Sequence, residues 1–231
     1  MNAGFIVGHG ITLIVDTGAC ALAAGTIGGY ASAAKPEHSL RVINTEKHFD
    51  HIGGNSYFRQ RAVEIWGHAN VSRTTEEFDA EIAEFNSAIE NPARRSREEA
   101  KVFFSGTVLA VPDHLVESAM PFDVGGLSAE ILLTPGHTNS NLSVWVPEDG
   151  VLFSGDCLVN GYLPNLDAGA PEDWRTWLES IHRIEALRPA VVVVGHGPVA
   201  RGEQVDRIIG DVRQILKEAI RTGRSPTQVE P

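Results

Sequence analysis

A short apolar run is followed by the sequence Asn44-Thr-Glu-Lys-His-Phe-Asp-His-Ile-Gly-Gly-Asn55. It places two histidines and an aspartate, His48, Asp50 and His51, within four residues, and Glu46 stands two positions before His48. Imidazole nitrogens and carboxylate oxygens at this density are typical ligands of zinc and related metals. The stretch therefore predicts a metal-binding loop.

Three more apolar runs carry a His or an Asp just beyond their ends: 131–133 before His137, 151–153 before Asp156, and 191–194 before His196. Binding sites collect at the ends of strands in sheets covered by helices, because loops from different strands meet there. We therefore expect these residues to share one site with the quoted loop. Such a set exceeds the ligands of one tetrahedral ion, so two divalent metal ions are predicted, zinc first, with iron or manganese as alternatives.

The composition limits the class of partner. The 231 residues carry a formal net charge of −11, which disfavours nucleic acid because its binding draws on Lys and Arg against phosphate. No apolar run approaches the roughly 18 residues of a membrane span, and the first residues lack the features of a signal peptide. We expect a cytoplasmic protein that acts on a small molecule. A strand-like run at 4–7 begins so early that a natural start further upstream stays open.

Hydrophobic patterning predicts an α/β chain. Strands are expected at 4–7, 11–15, 40–43, 63–66, 129–133, 142–146, 151–153 and 190–194, and helices at 20–34, 72–90, 96–104, 171–187 and 202–222. Because no linker-like change in composition occurs, residues 1–231 are expected to form a single domain ending in a loose tail after Gly223. The helical insertion 72–122, irregular around Pro112 and Pro121, is expected either to cover the site as a flap or to be a surface excursion.

Taken together, the motifs resemble the metallo-β-lactamase superfamily over nearly the whole chain. They occur in that family's order: Val15-Asp16-Thr17-Gly18, the quoted loop through Gly54, Pro135-Gly136-His137-Thr138, Leu152-Phe153-Ser154-Gly155-Asp156, and Val194-Gly195-His196-Gly197-Pro198. The resemblance implies a four-layer αββα sandwich with metals at one edge between the two sheets.

The resemblance also implies a role for each ligand. His48 and His137 would hold the first metal, Asp50, His51 and His196 the second, and Asp156 would bridge them, with Asp50 also orienting the attacking water. Asp16 would support a ligand from behind, since ligand imidazoles need an acceptor that fixes their tautomer. The tight turn in which Asp16 sits is an alternative explanation for this residue.

Glu46 departs from the family, which usually has a histidine at this position. A glutamate is long enough to reach a metal, and its oxygen would make the first site harder and more anionic. In the alternative, Glu46 turns to solvent or pairs with Lys47 or Arg41, and the first site is left under-coordinated, which makes the enzyme effectively mononuclear.

The expected activity is hydrolysis of an ester, thioester, lactone or lactam by a water that bridges two metals. Tyr162 and Asn165, in the loop after Asp156, are candidates for contacting the substrate, although Tyr162 is equally explained as a packing residue. One alternative is a diiron-type redox enzyme. Enzymes of that type have a glutamate where this chain has His48, and they need a flavin-bearing partner domain. The other is a non-catalytic metal-binding member of the fold. The sequence does not specify the oligomeric state.

Overall fold

The computed structural model describes residues 1–87, 96–166 and 169–225. The chain forms two compact units, an N-terminal unit of residues 3–115 and a C-terminal unit of residues 1–2 and 116–231. The expectation of a single domain stays a prediction. The end of the helix expected at 72–90 and most of the tail expected after Gly223 lie outside the described residues.

The N-terminal unit is built on a sheet whose described strands run in the order β1-β2-β3-β4-β5. These are β1 (Gly4–Val7), β2 (Ile11–Val15), β3 (Ser39–Ile43), β4 (Glu64–His68) and β5 (His114–Val116), the last of which ends on the first residue of the C-terminal unit. β1 and β2 form an antiparallel hairpin, whereas β2, β3 and β4 are parallel. Parallel neighbours require crossover connections, and here helices provide them.

The helices of the N-terminal unit follow the strands closely. They are α1 (Ala21–Ala34), α2 (Phe49–Ile52), α3 (Asn55–Arg59), α4 (Thr75–Ser87) and α5 (Arg97–Phe103), with a 3₁₀ turn at Ala69–Val71. Gly28 of α1 is explained by packing, because a Cβ there would lie 3.2 Å from the ring of Phe58. A second apolar cluster joins Phe49 and Ile52 of α2 to Phe78 of α4, so α4 covers the start of the quoted loop's helix.

The C-terminal unit contains a sheet of order β11-β10-β9-β8-β7-β6. Its strands are β6 (Met120–Asp123), β7 (Ser128–Leu133), β8 (Leu142–Val146), β9 (Val151–Val159), β10 (Val191–His196) and β11 (Ala200–Arg201). Only the pair β9 and β10 is parallel among the registered pairs of this sheet. The connection between these two strands carries the helix α6 (Pro171–Leu187), and α7 (Glu203–Thr222) follows β11.

The core of the C-terminal unit lies between this sheet and its two helices. Trp174 and Trp177 of α6 and Ile208 and Leu216 of α7 are buried in one cluster with the strand residue Leu152. The backbone of β10 is also held by the second residue of the chain. Asn2 donates from its backbone N–H to the carbonyl of Gly195 at 2.7 Å and from its side chain to those of Val194 and Gly197 at 2.8 Å each.

Most of the predicted elements are present, and the main differences are in β10, β9 and the stretch around Pro112 and Pro121. β10 does not end at Val194 but includes His196. β9 does not end at Phe153 but continues to Val159, because Cys157 and Leu158 are fully buried and keep the chain extended. The stretch expected to be irregular around Pro112 and Pro121 instead contains β5 and β6. Within the described ranges, no helix combines the length and the apolar character that a bilayer crossing requires.

Candidate metal centre

In the N-terminal unit the quoted loop leaves the carboxyl end of β3 and enters α2. His48 is the residue before the first turn of α2, and Asp50 and His51 belong to that turn. The neighbouring parallel strand β2 ends beside it, where the backbone N–H of Asp16 donates to the carbonyl of Ile43 at 2.9 Å. The predicted ligands of this unit therefore all follow β3, and Asp16, which is predicted to support them, follows the adjacent strand β2.

Glu46 is fully buried beside two of these histidines. Its Oε1 lies 2.8 Å from Nδ1 of His48 and 3.2 Å from Nε2 of His51. The alternative in which Glu46 turns to solvent is therefore wrong. Arg41, one of the two alternative partners, contacts Glu64 at 2.9 Å.

The electrostatics of His48 follow from its carboxylate neighbours. Burial by itself lowers the pKa of this imidazole, but the carboxylate of Glu46, helped by those of Glu81 and Asp50, outweighs it, and the net effect is a raised pKa. The pocket around His48 thus favours a positive charge. The same carboxylates would stabilise a metal cation bound there.

Asp16 supports His51 from the side opposite to Glu46. Its φ of 63° lies in the left-handed region, which non-glycine residues adopt rarely and at a cost in strain. Its Oδ2 lies 2.9 Å from Nδ1 of His51 and accepts from the hydroxyl of Thr45 at 2.7 Å, and its Oδ1 accepts from the N–H of Thr45 at 2.7 Å. Burial raises the pKa of Asp16, and His51 and Thr45 oppose that shift. With Nδ1 committed to Asp16, Nε2 is the nitrogen of His51 that would bind a metal.

A buried polar network that the sequence reasoning missed holds the backbone of His51. The carbonyl of His51 accepts from the N–H and the hydroxyl of Thr17 at 3.0 Å each and from Nδ2 of Asn44 at 3.3 Å. Asn55 joins the network, since its Oδ1 accepts from Thr17 at 2.9 Å and its Nδ2 donates to Asn44 at 2.8 Å. The signal was available, because Asn44 and Asn55 are the two ends of the quoted stretch and buried amides require hydrogen-bond partners.

We expect Asp16→Asn to lower the affinity for zinc by about 10- to 100-fold, the usual cost of losing a partner behind a ligand. An amide nitrogen in place of Oδ2 would oppose the N–H at Nδ1 of His51, and the imidazole would then move its proton to Nε2. The affinity is measured by competition with a chromophoric chelator. Asp113→Asn is the matched control, because Asp113 also accepts a backbone N–H, that of Ile65 at 2.8 Å. Equal affinities in the two variants would contradict the role of Asp16.

In the C-terminal unit, α6 fixes the loop that carries His137. Gly136 has a φ of 152°, and a Cβ there would lie 2.2 Å from the Cβ of Trp177, so only glycine fits. Ser180 donates to the carbonyl of Pro135 at 2.7 Å, and the ring of Trp177 packs edge-on against that of His137 at 5.6 Å. The direction of the His137 side chain is therefore set by the helix behind it.

His137 and His196 both face the carboxylate of Asp156. Their Nε2 atoms lie 3.5 Å and 3.4 Å from Oδ2 of Asp156. Contrary to the predicted strand limits, Asp156 lies inside β9, where the pairing with β10 shifts register. A Cβ at Gly195 would lie 1.7 Å from Oδ1 of Asp156, so the glycine of β10 makes the room for this carboxylate.

The two predicted substrate contacts lie in the loop after β9. Tyr162 is 66% exposed, and its ring centroid lies 6.5 Å from that of His196. Asn165 has an exposed side chain, and its backbone carbonyl lies 3.1 Å from Nδ1 of His137. Asn165 thus holds a predicted ligand in its tautomer, which the sequence reasoning did not foresee. Contact of either residue with a substrate stays a prediction.

The donor set of each unit fits a transition metal. His51 and His137 each direct Nε2 towards a carboxylate, of Glu46 and of Asp156, while Nδ1 is bound to an oxygen on the other side. Metal-ligating histidines show this pattern, because the outer hydrogen bond fixes the tautomer and orients the ring. Mixed imidazole and carboxylate donors suit zinc, iron and manganese.

The sequence profile of the metallo-β-lactamase superfamily matches residues 2–196, and the chain belongs to that superfamily. Its fold is the αββα sandwich: a metallo-β-lactamase from Pontibacter korlensis has a TM-score of 0.64 at 19% identity, over 92% of this chain and 85% of that one. The fold predicted from the sequence is thereby confirmed.

Several curated proteins that are named as hydrolases or as β-lactamase-like proteins are also similar in sequence to this chain. A probable metallo-hydrolase of Bacillus subtilis, YqgX, is 28% identical over 69% of this chain and 69% of its own length. A hydroxyacylglutathione hydrolase of Synechococcus is 26% identical over 72% of this chain and 60% of its own length. This chain spans between 36% and 69% of the length of four such relatives.

Proposed function

We propose that this protein is a metal-dependent hydrolase that uses a pair of divalent ions, most readily zinc. Glu46, His48 and His137 would hold the first ion, Asp50, His51 and His196 the second, and Asp156 would bridge them. The observation that carries the proposal is the shared geometry of His51 and His137. Each turns Nε2 to a carboxylate and is fixed from behind by an oxygen.

The bound metals would lower the pKa of a water molecule and polarise the carbonyl oxygen of the substrate. The chain itself supplies the group that handles the proton. The side chain of Asp50 is 20% exposed, and its Oδ2 lies 4.0 Å from Nε2 of His51. In the proposal, Asp50 orients the attacking water, accepts its proton and passes it to the leaving oxygen, sulfur or nitrogen atom as the bond from that atom to the carbonyl carbon breaks.

The substrate class of the proposal is a small molecule with an ester, thioester, lactone or lactam bond. Two relatives support hydrolysis by their names, one as a metallo-hydrolase and one as a hydrolase of hydroxyacylglutathione. Tyr162 and Asn165 are proposed to contact the substrate, since both have exposed side chains and Tyr162 lies near His196.

The purified protein is expected to contain close to two transition-metal ions per chain. It should hydrolyse at least one of four probes, namely a nitrophenyl ester, an acyl thioester, a γ-lactone and a chromogenic cephalosporin. A chelator should abolish the hydrolysis, because in the proposal the metals activate the water and polarise the carbonyl oxygen, and no side chain of the proposed site takes over these tasks. Elemental analysis and rate measurements before and after readdition of zinc, iron or manganese check this. Metal content well below one ion per chain, without activity after readdition, would refute the proposal.

A further inference from the structure

Arg73 connects the start of α4 to the quoted loop. Its Nη1 donates to the carbonyl of Lys47 at 3.0 Å and also contacts the carboxylate of Glu81, and its Nη2 donates to the carbonyl of Glu77 at 3.3 Å. The side chain of Arg73 is 12% exposed and that of Glu81 is 24% exposed. A largely buried guanidinium of this kind is held more firmly than a surface ion pair, because solvent screens it less.

The carbonyl that Arg73 contacts lies at a sensitive position of the loop. Lys47 stands between Glu46 and His48, so the plane of its peptide group sets the directions in which both side chains leave the backbone. Metal ligands must be held to within about 0.5 Å of their productive positions. A contact that fixes this carbonyl therefore bears on two proposed ligands at once.

The element on which Arg73 is mounted is itself anchored. Thr74 and Glu77 form a capping box at the start of α4: the N–H of Thr74 donates to Oε2 of Glu77 at 2.9 Å, and the N–H of Glu77 donates to the Thr74 hydroxyl at 3.2 Å. Phe78, in the next turn, is fully buried in a cluster with Phe49 of α2. The position of Arg73 relative to the loop is thus fixed by the helix start and by the core.

We propose that Arg73 is a positioning residue for the metal centre, which fixes the loop backbone between Glu46 and His48 by binding the carbonyl of Lys47. The inference rests on the proposed function, in which Glu46 and His48 hold the first metal. It adds that the start of α4, a helix of the predicted flap, determines how well that metal is held. Arg73 touches neither the metal nor the substrate in this role.

Arg73→Gln is expected to lower the affinity for zinc by about 10- to 100-fold, since the shorter amide cannot reach all three partners of the guanidinium. Competition with a chromophoric chelator gives the affinity. At saturating cobalt, the visible absorption spectrum of the variant should also differ from that of the wild type, because the ligands take new positions. A role confined to stability would not move this spectrum.

Arg213→Gln is the matched control. Arg213 of α7 contacts Glu185 of α6 at 2.7 Å and 2.6 Å, so this variant also loses an Arg–Glu pair, here one between two helices of the C-terminal unit. We expect it to keep the zinc affinity and cobalt spectrum of the wild type. Thermal unfolding of both variants with chelator present compares their metal-free stabilities.

A second variant decides the matter where Arg73→Gln does not fold. Arg73→Lys keeps the charge but has a single ammonium in place of the planar fork, and its zinc affinity should fall by at least about fivefold. Wild-type affinity and an unchanged cobalt spectrum in either folded variant would overturn the role of Arg73 while leaving the proposed function intact. A wild-type protein that binds neither zinc nor cobalt would overturn both.

Discussion

Gly195→Ala is expected to lower the affinity for zinc by about 100-fold or more and to remove most metal-dependent hydrolysis. The added Cβ would lie 1.7 Å from Oδ1 of Asp156 and 2.8 Å from the carbonyl carbon of Gly155. Moving the carboxylate should require less free energy than moving the backbone of Gly155, because a shift of Gly155 would disturb the strand pairing. The proposed bridge between the metals would therefore be moved by a single methyl group that is no ligand itself.

Gly210→Ala is the control for this substitution. Gly210 lies inside α7, and a Cβ there meets nothing within 4 Å. Since alanine is favoured over glycine inside helices by about 1 kcal/mol, this variant should be slightly more stable and should bind metal as the wild type does. Elemental analysis and chelator competition test both variants. A Gly195→Ala protein that keeps two metals at unchanged affinity would show that Asp156 is not the bridge.

Glu46 variants are expected to change which metal the first site prefers. Glu46→Ala should lower the metal affinity of this site by at least about 100-fold, because it removes a ligand and leaves two imidazoles without their shared carboxylate. Glu46→His should raise its zinc occupancy, since the family's usual nitrogen ligand is restored and zinc accepts nitrogen readily. The wild type, with its oxygen donor, should hold manganese better than Glu46→His does.

Metal content per chain after dialysis against zinc or manganese measures both changes. Glu64→Ala serves as the control, because Glu64 is a surface carboxylate of the same unit that pairs with Arg41. Unchanged zinc and manganese occupancy in both Glu46 variants would show that this carboxylate is not a ligand and that it only orients His48 and His51.

The fold was predictable from the sequence because the order and spacing of the motifs indicate which strands end at the site. A His or Asp follows each of several apolar runs, and the loops that leave neighbouring strands do meet, as Asp16 beside the end of β3 shows. The helices at 171–187 and 202–222 were predictable for another reason, since each buries one apolar face against a sheet. Such patterns are local, and a single sequence displays them.

The roles and positions that the sequence did not reveal depend on contacts between distant segments. Asn165 supports His137 through a backbone carbonyl, which any residue possesses, so its side chain gave no signal of that role. Arg73 reaches Lys47 across 26 positions, and an arginine before a helix is ordinarily a surface residue. Asp156 was placed beyond its strand because glycine and aspartate disfavour strands, whereas burial of Cys157 and Leu158 overrides that preference.

The hydrogen bonds of Asn2 have a consequence for the order in which the chain folds during synthesis. Residues 3–115 form a unit that is continuous in sequence, and they are synthesised before residues 116–231. The other unit is discontinuous in sequence, since it joins residues 1–2 to residues 116–231. The hydrogen bond from Asn2 to Val194 can form only after the chain has been synthesised 192 positions further. Domains generally fold as units and in the order of synthesis. We therefore expect the unit with Glu46, His48 and His51 to fold first, and a change at Asn2 to slow the last step of folding more than the early ones.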